Sequence, residues 1–206
     1  MPCVPARRTS STFEYRLSAA GFLMRLSWHI IEGAVAEEFD VTTCQELQVD
    51  HASSVPVELL WPNQKVRPVK VIPIMVNTVQ HPLPSPKRSY KLGESVGRAI
   101  RSWGEDARVL VRGTGGLSHQ LDGERAGFIN KDFDLKFMDS MVNDPAWATG
   151  YSTVELVELS GTQGVELLNW VVARGTLPAK VSKLHANYHI PISNTATGLM
   201  VLEPAM

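Results

Sequence analysis

Two short β-branched runs, residues 69–76 (VKVIPIMV) and 108–112 (RVLVR), constrain the fold most strongly. Runs that stay apolar at consecutive positions read as strands covered on both faces, since a strand with one wet face would alternate. Between them, residues 92–103 place Val96, Ile100 and Trp103 at helical spacing, after the breaker-rich HPLPSP of residues 81–86. Strand, helix, strand is a βαβ crossover. The same patterning predicts a helix over residues 19–39, where Phe22, Leu23, Leu26, Ile30, Ile31, Ala34 and Val35 recur at near-helical intervals. Further helices are expected over 132–141, 153–159 and 164–173, and later strands over 181–190 and 196–202. The expected class is α/β, with a mixed central sheet sandwiched between helical layers.

Composition removes several functions. With 206 residues and 44% apolar side chains, the chain is of single-domain size with material for a real core. Its formal net charge of −1, with basic residues scattered along the sequence, supplies no field for nucleic acid or for an anionic membrane surface. Cys3 and Cys44 are the two cysteines, with no CxxC and no Cys/His array. That excludes a disulfide framework and a thiolate zinc site, and it fits a reducing, cytoplasmic setting. No apolar run approaches the roughly 20 residues that cross a bilayer. The first 31 residues carry Arg7, Arg8, Arg16 and Arg25 against Glu14 alone, the composition of a slightly basic leader.

Candidate chemistry gathers after the second run, in residues 112–120 (RGTGGLSHQ). Sites in open α/β sheets lie at the carboxyl ends of strands, and glycines let such a loop turn sharply beside a ligand. His119 would sit at that mouth, as a proton-exchanging imidazole or as part of an ordinary tight turn. The spacing does not match a P-loop, a complete GxGxxG or a nucleophile elbow. Glu166 lies in an apolar helical run, residues 164–172, with Ser160 and Gln163 fitting a capping box just before it. It reads either as a helix-dipole acid or as a metal-binding carboxylate. His185 and His189 have the spacing of a zinc-protease pair without its glutamate, on a segment that reads as strand. His51, followed by Ser53, Ser54 and Pro56, has a loop-like setting. Ser193 and Asn194 end a strand as a simple turn or as anchors for a polar ligand group.

Three stretches then carry a family likeness: residues 49–56 (VDHASSVP), residues 113–134 (GTGGLSHQLDGERAGFINKDFD), and residues 161–175 (GTQGVELLNWVVARG) with 188–198 (YHIPISNTATG). They resemble the class III extradiol ring-cleavage dioxygenases, and within them the protocatechuate 4,5-dioxygenase β-chain group. The likeness runs from Trp28 to about Pro204, so that residues 1–27 form an unmatched basic leader and 28–206 the C-terminal part of a catalytic domain. The resemblance implies a non-haem Fe(II) held by two histidines and a glutamate, a catechol carboxylate as substrate, and O2 opening the ring beside the diol in aromatic catabolism. Position by position, it makes Glu166 the iron carboxylate, His119 the acid/base, His51 a second-sphere histidine facing the substrate, and Ser193 with Asn194 the neighbours of the ring carboxylate. It also implies a small helical α subunit and an oligomer.

One departure qualifies that expectation. The family draws both iron histidines from N-terminal motifs that have no counterpart here, and residues 1–27 contain no histidine. One ligand of three cannot give Fe(II) its affinity, so the alternative expectation is a truncated, catalytically inactive homologue. The central sheet would then be incomplete at the N-terminus, leaving an apolar face uncovered and the chain prone to self-association.

Overall fold

Ser85 and Pro86 start the helix on which much of the fold packs. In the computed structural model of the chain, which describes residues 21–44, 46–62 and 68–205, the Arg88 N–H donates to Ser85 Oγ at 3.1 Å and Pro86 opens the helix. Proline loses nothing at that position, where the N–H has no intrahelical partner. The proline-rich stretch read as a breaker is therefore the N-terminus of α3 (Pro86–Ser102), which begins well before residue 92. Against it lies α1 (Gly21–Ala36), which buries Leu26 and Ile30 on Val96 and Ala99. Exposed pairs tie each helix to the residues just past the end of the other, Arg25 of α1 with Glu105 and Arg98 of α3 with Glu37.

The other side of α3 is glycine. A Cβ on Gly93 would lie 2.1 Å from the Val172 carbonyl oxygen, one on Gly97 2.4 Å from that of Thr176, and one on Gly175 2.5 Å from that of Tyr90. Backbone therefore meets backbone where α3 crosses α6 (Leu168–Gly175). Arg174 secures the far end of α6. It is buried, and its guanidinium donates to the carbonyls of Met141, Pro178 and Ala179.

The main core forms around α4 (Lys131–Asn143), α5 (Thr153–Ser160) and α6, through Phe133, Phe137, Met141, Leu156, Leu168 and Val171. An antiparallel hairpin of β1 (Val181–His189) and β2 (Thr197–Pro204) covers it, in a register that runs from Val181 opposite Pro204 to His189 opposite Thr197. Tyr188, Met200 and Leu202 pack on the core from that hairpin.

Several expectations change. The two runs that suggested a central sheet, 69–76 and 108–112, join no ladder among the described residues, where β1 and β2 form the one sheet. Side chains expected to be covered stand in solvent, Leu110 with 81% of its surface exposed and Met75 with 62%. A β-branched run becomes a strand only when another strand satisfies its backbone, and none is described beside these. Helices with a small antiparallel sheet are thus seen, without the expected sandwich. His51 does not sit in a loop: it opens α2 (His51–Leu60), N-capped by Asp50, whose carboxylate accepts from the Ala52 and Ser53 N–H groups. The capping box lies at Ser152 and Glu155, at the start of α5, while Ser160 ends that helix and turns its hydroxyl to the Leu156 carbonyl. The helix expected over 164–173 divides into a 3-10 turn, Gly164–Leu167, and α6. Of the basic leader, residues 1–20 lie outside the described residues, and 21–27 belong to α1. No helix among the described residues is long and apolar enough to cross a membrane.

Gly93→Ala should cost about 3 kcal/mol in urea unfolding, because the clash is with backbone that cannot step aside. Gly104→Ala, with nothing within 4 Å of the new methyl, should be near neutral, and equal effects would contradict the close crossing.

Candidate active site

Consecutive glycines determine what can stand on either side of the 113–120 loop. Gly115 has φ of 119°, and a Cβ there would lie 2.8 Å from Glu166 Cβ. One on Gly116 would lie 2.6 Å from His119 Cε1 and 2.7 Å from Nδ1. The bend therefore accepts Glu166 against one glycine and the His119 imidazole against the next. Glu166, half-buried in its 3-10 turn, receives the Gly116 N–H at 3.4 Å. Trp170 donates its indole N–H to the Gly115 carbonyl at 3.2 Å and fastens the bend to α6.

His119 is 7% exposed and held along its backbone. Its N–H donates to the Ser160 carbonyl at 2.8 Å, its carbonyl accepts from Gly164 at 3.2 Å, and it forms a bridge with Thr195. Gly161, with φ of 92°, leaves room for that carbonyl, 2.2 Å from where a Cβ would sit. The ring Nδ1 lies 2.9 Å from the Leu117 carbonyl oxygen. A carbonyl only accepts, so this contact assigns the proton to Nδ1 and leaves Nε2 as the nitrogen able to take one.

Beneath the loop, Asp134 has no exposed surface and accepts three hydrogen bonds: Ser118 N–H at 2.9 Å, Ser118 Oγ at 2.6 Å and Tyr188 OH at 2.9 Å. Burial pushes its carboxyl above the usual carboxylate range, against the pull of those donors. Burial, and then the carboxylate beside it, push the Tyr188 phenol up, so that it stays a donor.

The bridge at Thr195, with the Ala196 N–H donating to the Ser118 carbonyl at 3.0 Å, draws the turn between β1 and β2 to His119. Ser193 and Asn194 precede it, both exposed, and Asn194 Oδ1 lies 3.5 Å from the position of a Cβ on Gly127. His51 is exposed at the start of α2, and no described hydrogen bond ties it to the other four residues. The connection nearby is Arg112, donating to the Ser53 carbonyl at 3.1 Å just before the glycine bend. His185 and His189 are exposed on β1.

The family model of the catalytic LigB subunit of aromatic ring-opening dioxygenase matches residues 13–199. The chain belongs to that LigB family. Among curated proteins, it is 40% identical over 178 residues to a gallate dioxygenase of Pseudomonas putida, a match covering 86% of this chain and 52% of that protein. A 2,3-dihydroxyphenylpropionate/2,3-dihydroxicinnamic acid 1,2-dioxygenase of Pseudomonas putida is 30% identical over 77% of this chain and 64% of its own. One from Azotobacter vinelandii is 29% identical over 86% of this chain and 69% of its own. The chain thus spans about half the length of the gallate dioxygenase.

LigB membership is membership of an enzyme family whose chemistry generally runs on non-haem iron. Against that requirement, no three His, Cys, Asp or Glu side chains converge as a metal site among the described residues. Glu166 is the carboxylate at the bend, and Asp134 is committed to its three donors. The described residues therefore do not by themselves fit a complete iron site. Sequence reasoning passed over Asp134, Ser118 and Tyr188, although all three lie inside the matched motifs. An acid at a buried position of an amphipathic helix was the available signal.

Tyr188→Phe removes one of three donors from a buried carboxylate and should destabilise the chain by about 1 kcal/mol in urea unfolding. A neutral result would mean that the phenol–Asp134 contact contributes nothing.

Proposed function

We propose that residues 28–206 carry the substrate-handling part of an extradiol (4,5) dioxygenase, acting with Fe(II) and O2 on a catechol carboxylate such as protocatechuate or gallate. The observation that supports this most is the shared bend, with a carboxylate and an oriented imidazole on consecutive glycines. In this reading His119 is the acid/base, its Nε2 taking a phenolic proton and returning it as the ring opens. Its burial keeps bulk water from that proton, and its backbone bonds hold it without reorganisation. Glu166 is the carboxylate ligand. Ser193 and Asn194, on the turn tied to His119 through Thr195, meet the carboxylate of the ring. His51 is a second-sphere group brought in by the Arg112–Ser53 link. The name of the gallate dioxygenase relative supports a hydroxylated benzoate over other catechols. A small helical α partner and an oligomer belong to the same proposal, as does a cytoplasmic location.

A second reading is favoured by the incomplete donor set among the described residues. On it, this chain alone is an inactive homologue, lacking both iron histidines.

Ring-fission absorbance with gallate and with protocatechuate, in the presence of added Fe(II), tests the two. The first reading expects turnover that falls roughly a hundredfold or more in His119→Ala and Glu166→Gln. A folded chain that shows no ring fission with either substrate supports the second.

A further inference from the structure

Asp134 is a fully buried carboxylate for which the proposed reaction has no use. Of its three donors, the Ser118 N–H carries the effect of the carboxylate beyond its own contacts, for a geometric reason. That N–H and the Leu117 carbonyl are the two ends of one planar peptide unit, which is trans, so they point in opposite directions. Fixing the N–H on Asp134 Oδ1 therefore fixes where the Leu117 oxygen points. It points at His119 Nδ1, 2.9 Å away. The Ala196 bond to the Ser118 carbonyl holds the next peptide plane, and the buried Leu117 side chain anchors the α-carbon on the other side. The Ser118 N–H makes the hydrogen bond that ties the Leu117–Ser118 plane itself to a side chain beneath it. A donor bond at one end of a peptide also strengthens its carbonyl as an acceptor.

We propose that Asp134 is the positioning residue for His119, setting the tautomer and tilt of the imidazole through the Leu117–Ser118 peptide plane. It takes the part that an aspartate plays directly in an Asp–His pair, with one peptide unit interposed. The catalytic meaning of this rests on His119 being the acid/base of ring cleavage. The geometry does not. Tyr188 and the Ser118 hydroxyl satisfy the second carboxylate oxygen, Oδ2, and leave Oδ1 to the backbone. Asn130 completes the arrangement by donating its N–H to Ser118 Oγ at 2.8 Å, which turns that hydroxyl's own proton toward Asp134.

The test is long-range proton–nitrogen NMR of the histidine rings in the full chain, with the His119 signals assigned by His119→Gln. The wild type should show His119 protonated at Nδ1, with slow exchange of that proton. Asp134→Ala removes both acceptor oxygens, so the Ser118 N–H loses its partner. It should speed the exchange by about tenfold or more and mix the two tautomers. His29, bonded elsewhere to Ala99 and Ser102, should keep its signals in the same sample. Tyr188→Phe removes a donor from the same carboxylate without touching the plane, so His119 should be unchanged there. Unchanged His119 signals in a folded Asp134→Ala chain overturn the proposal, as does an equal change in Tyr188→Phe. If Asp134→Ala does not fold, exchange in the wild type decides: matched protection of Ser118 N–H and His119 Nδ1–H supports the relay. An Nδ1–H exchanging about a hundredfold faster than a protected Ser118 N–H overturns it. None of these readouts needs iron or turnover, so a failed ring-fission assay and a failed relay are separate results.

Discussion

The candidate site depends on the absence of two methyl groups. At Gly115 and Gly116 the backbone passes so close to Glu166 and to the His119 ring that any side chain would have to displace one of them. A carboxylate on a turn near residue 166 and an imidazole near residue 119 are far apart in the chain. Each packs against the same short stretch of backbone because the loop is thin at those two points. Everything else near the site keeps the bend in place: Trp170 bonded to the Gly115 carbonyl, Gly161 making room for the His119 carbonyl, and Asp134 holding Ser118 from below.

The same device recurs at larger scale where α3 meets α6. Gly93, Gly97 and Gly175 let two helices touch backbone to backbone, and α6 then carries Trp170 to the bend and Arg174 to the end of α4. Close approach here is a positional requirement more than a source of energy. Burial of Phe137, Leu168 and Val171, each worth about 1.5–3 kcal/mol, holds the layers together. The glycines decide how near those layers lie. A site assembled from a loop, a 3-10 turn and a hairpin turn inherits its precision from that spacing.

Local patterning was legible wherever a segment satisfies its own backbone. The helices α1, α4 and α5 and the strands β1 and β2 follow from apolar spacing, because a helix bonds within itself and a hairpin bonds to its sequence neighbour. The runs 69–76 and 108–112 have the right composition for strands and still form none among the described residues, since strand formation needs a partner that composition does not supply. The helix at His51 was hidden by Pro56, which reads as a breaker but sits within its turns. At the site, His119 and Glu166 were visible through their motifs. Asp134 was not, because a polar residue in a helix declares its direction only once the helix is packed.

The most direct measurement of the central claim is a set of proton–proton Overhauser contacts across the bend. Protons of the His119 ring should show strong contacts to the Gly116 Hα pair, and the Glu166 Hβ pair should show them to Gly115 Hα, in one folded sample. Loss of either set, with the fold intact, would place the imidazole and the carboxylate in separate surroundings and contradict the account.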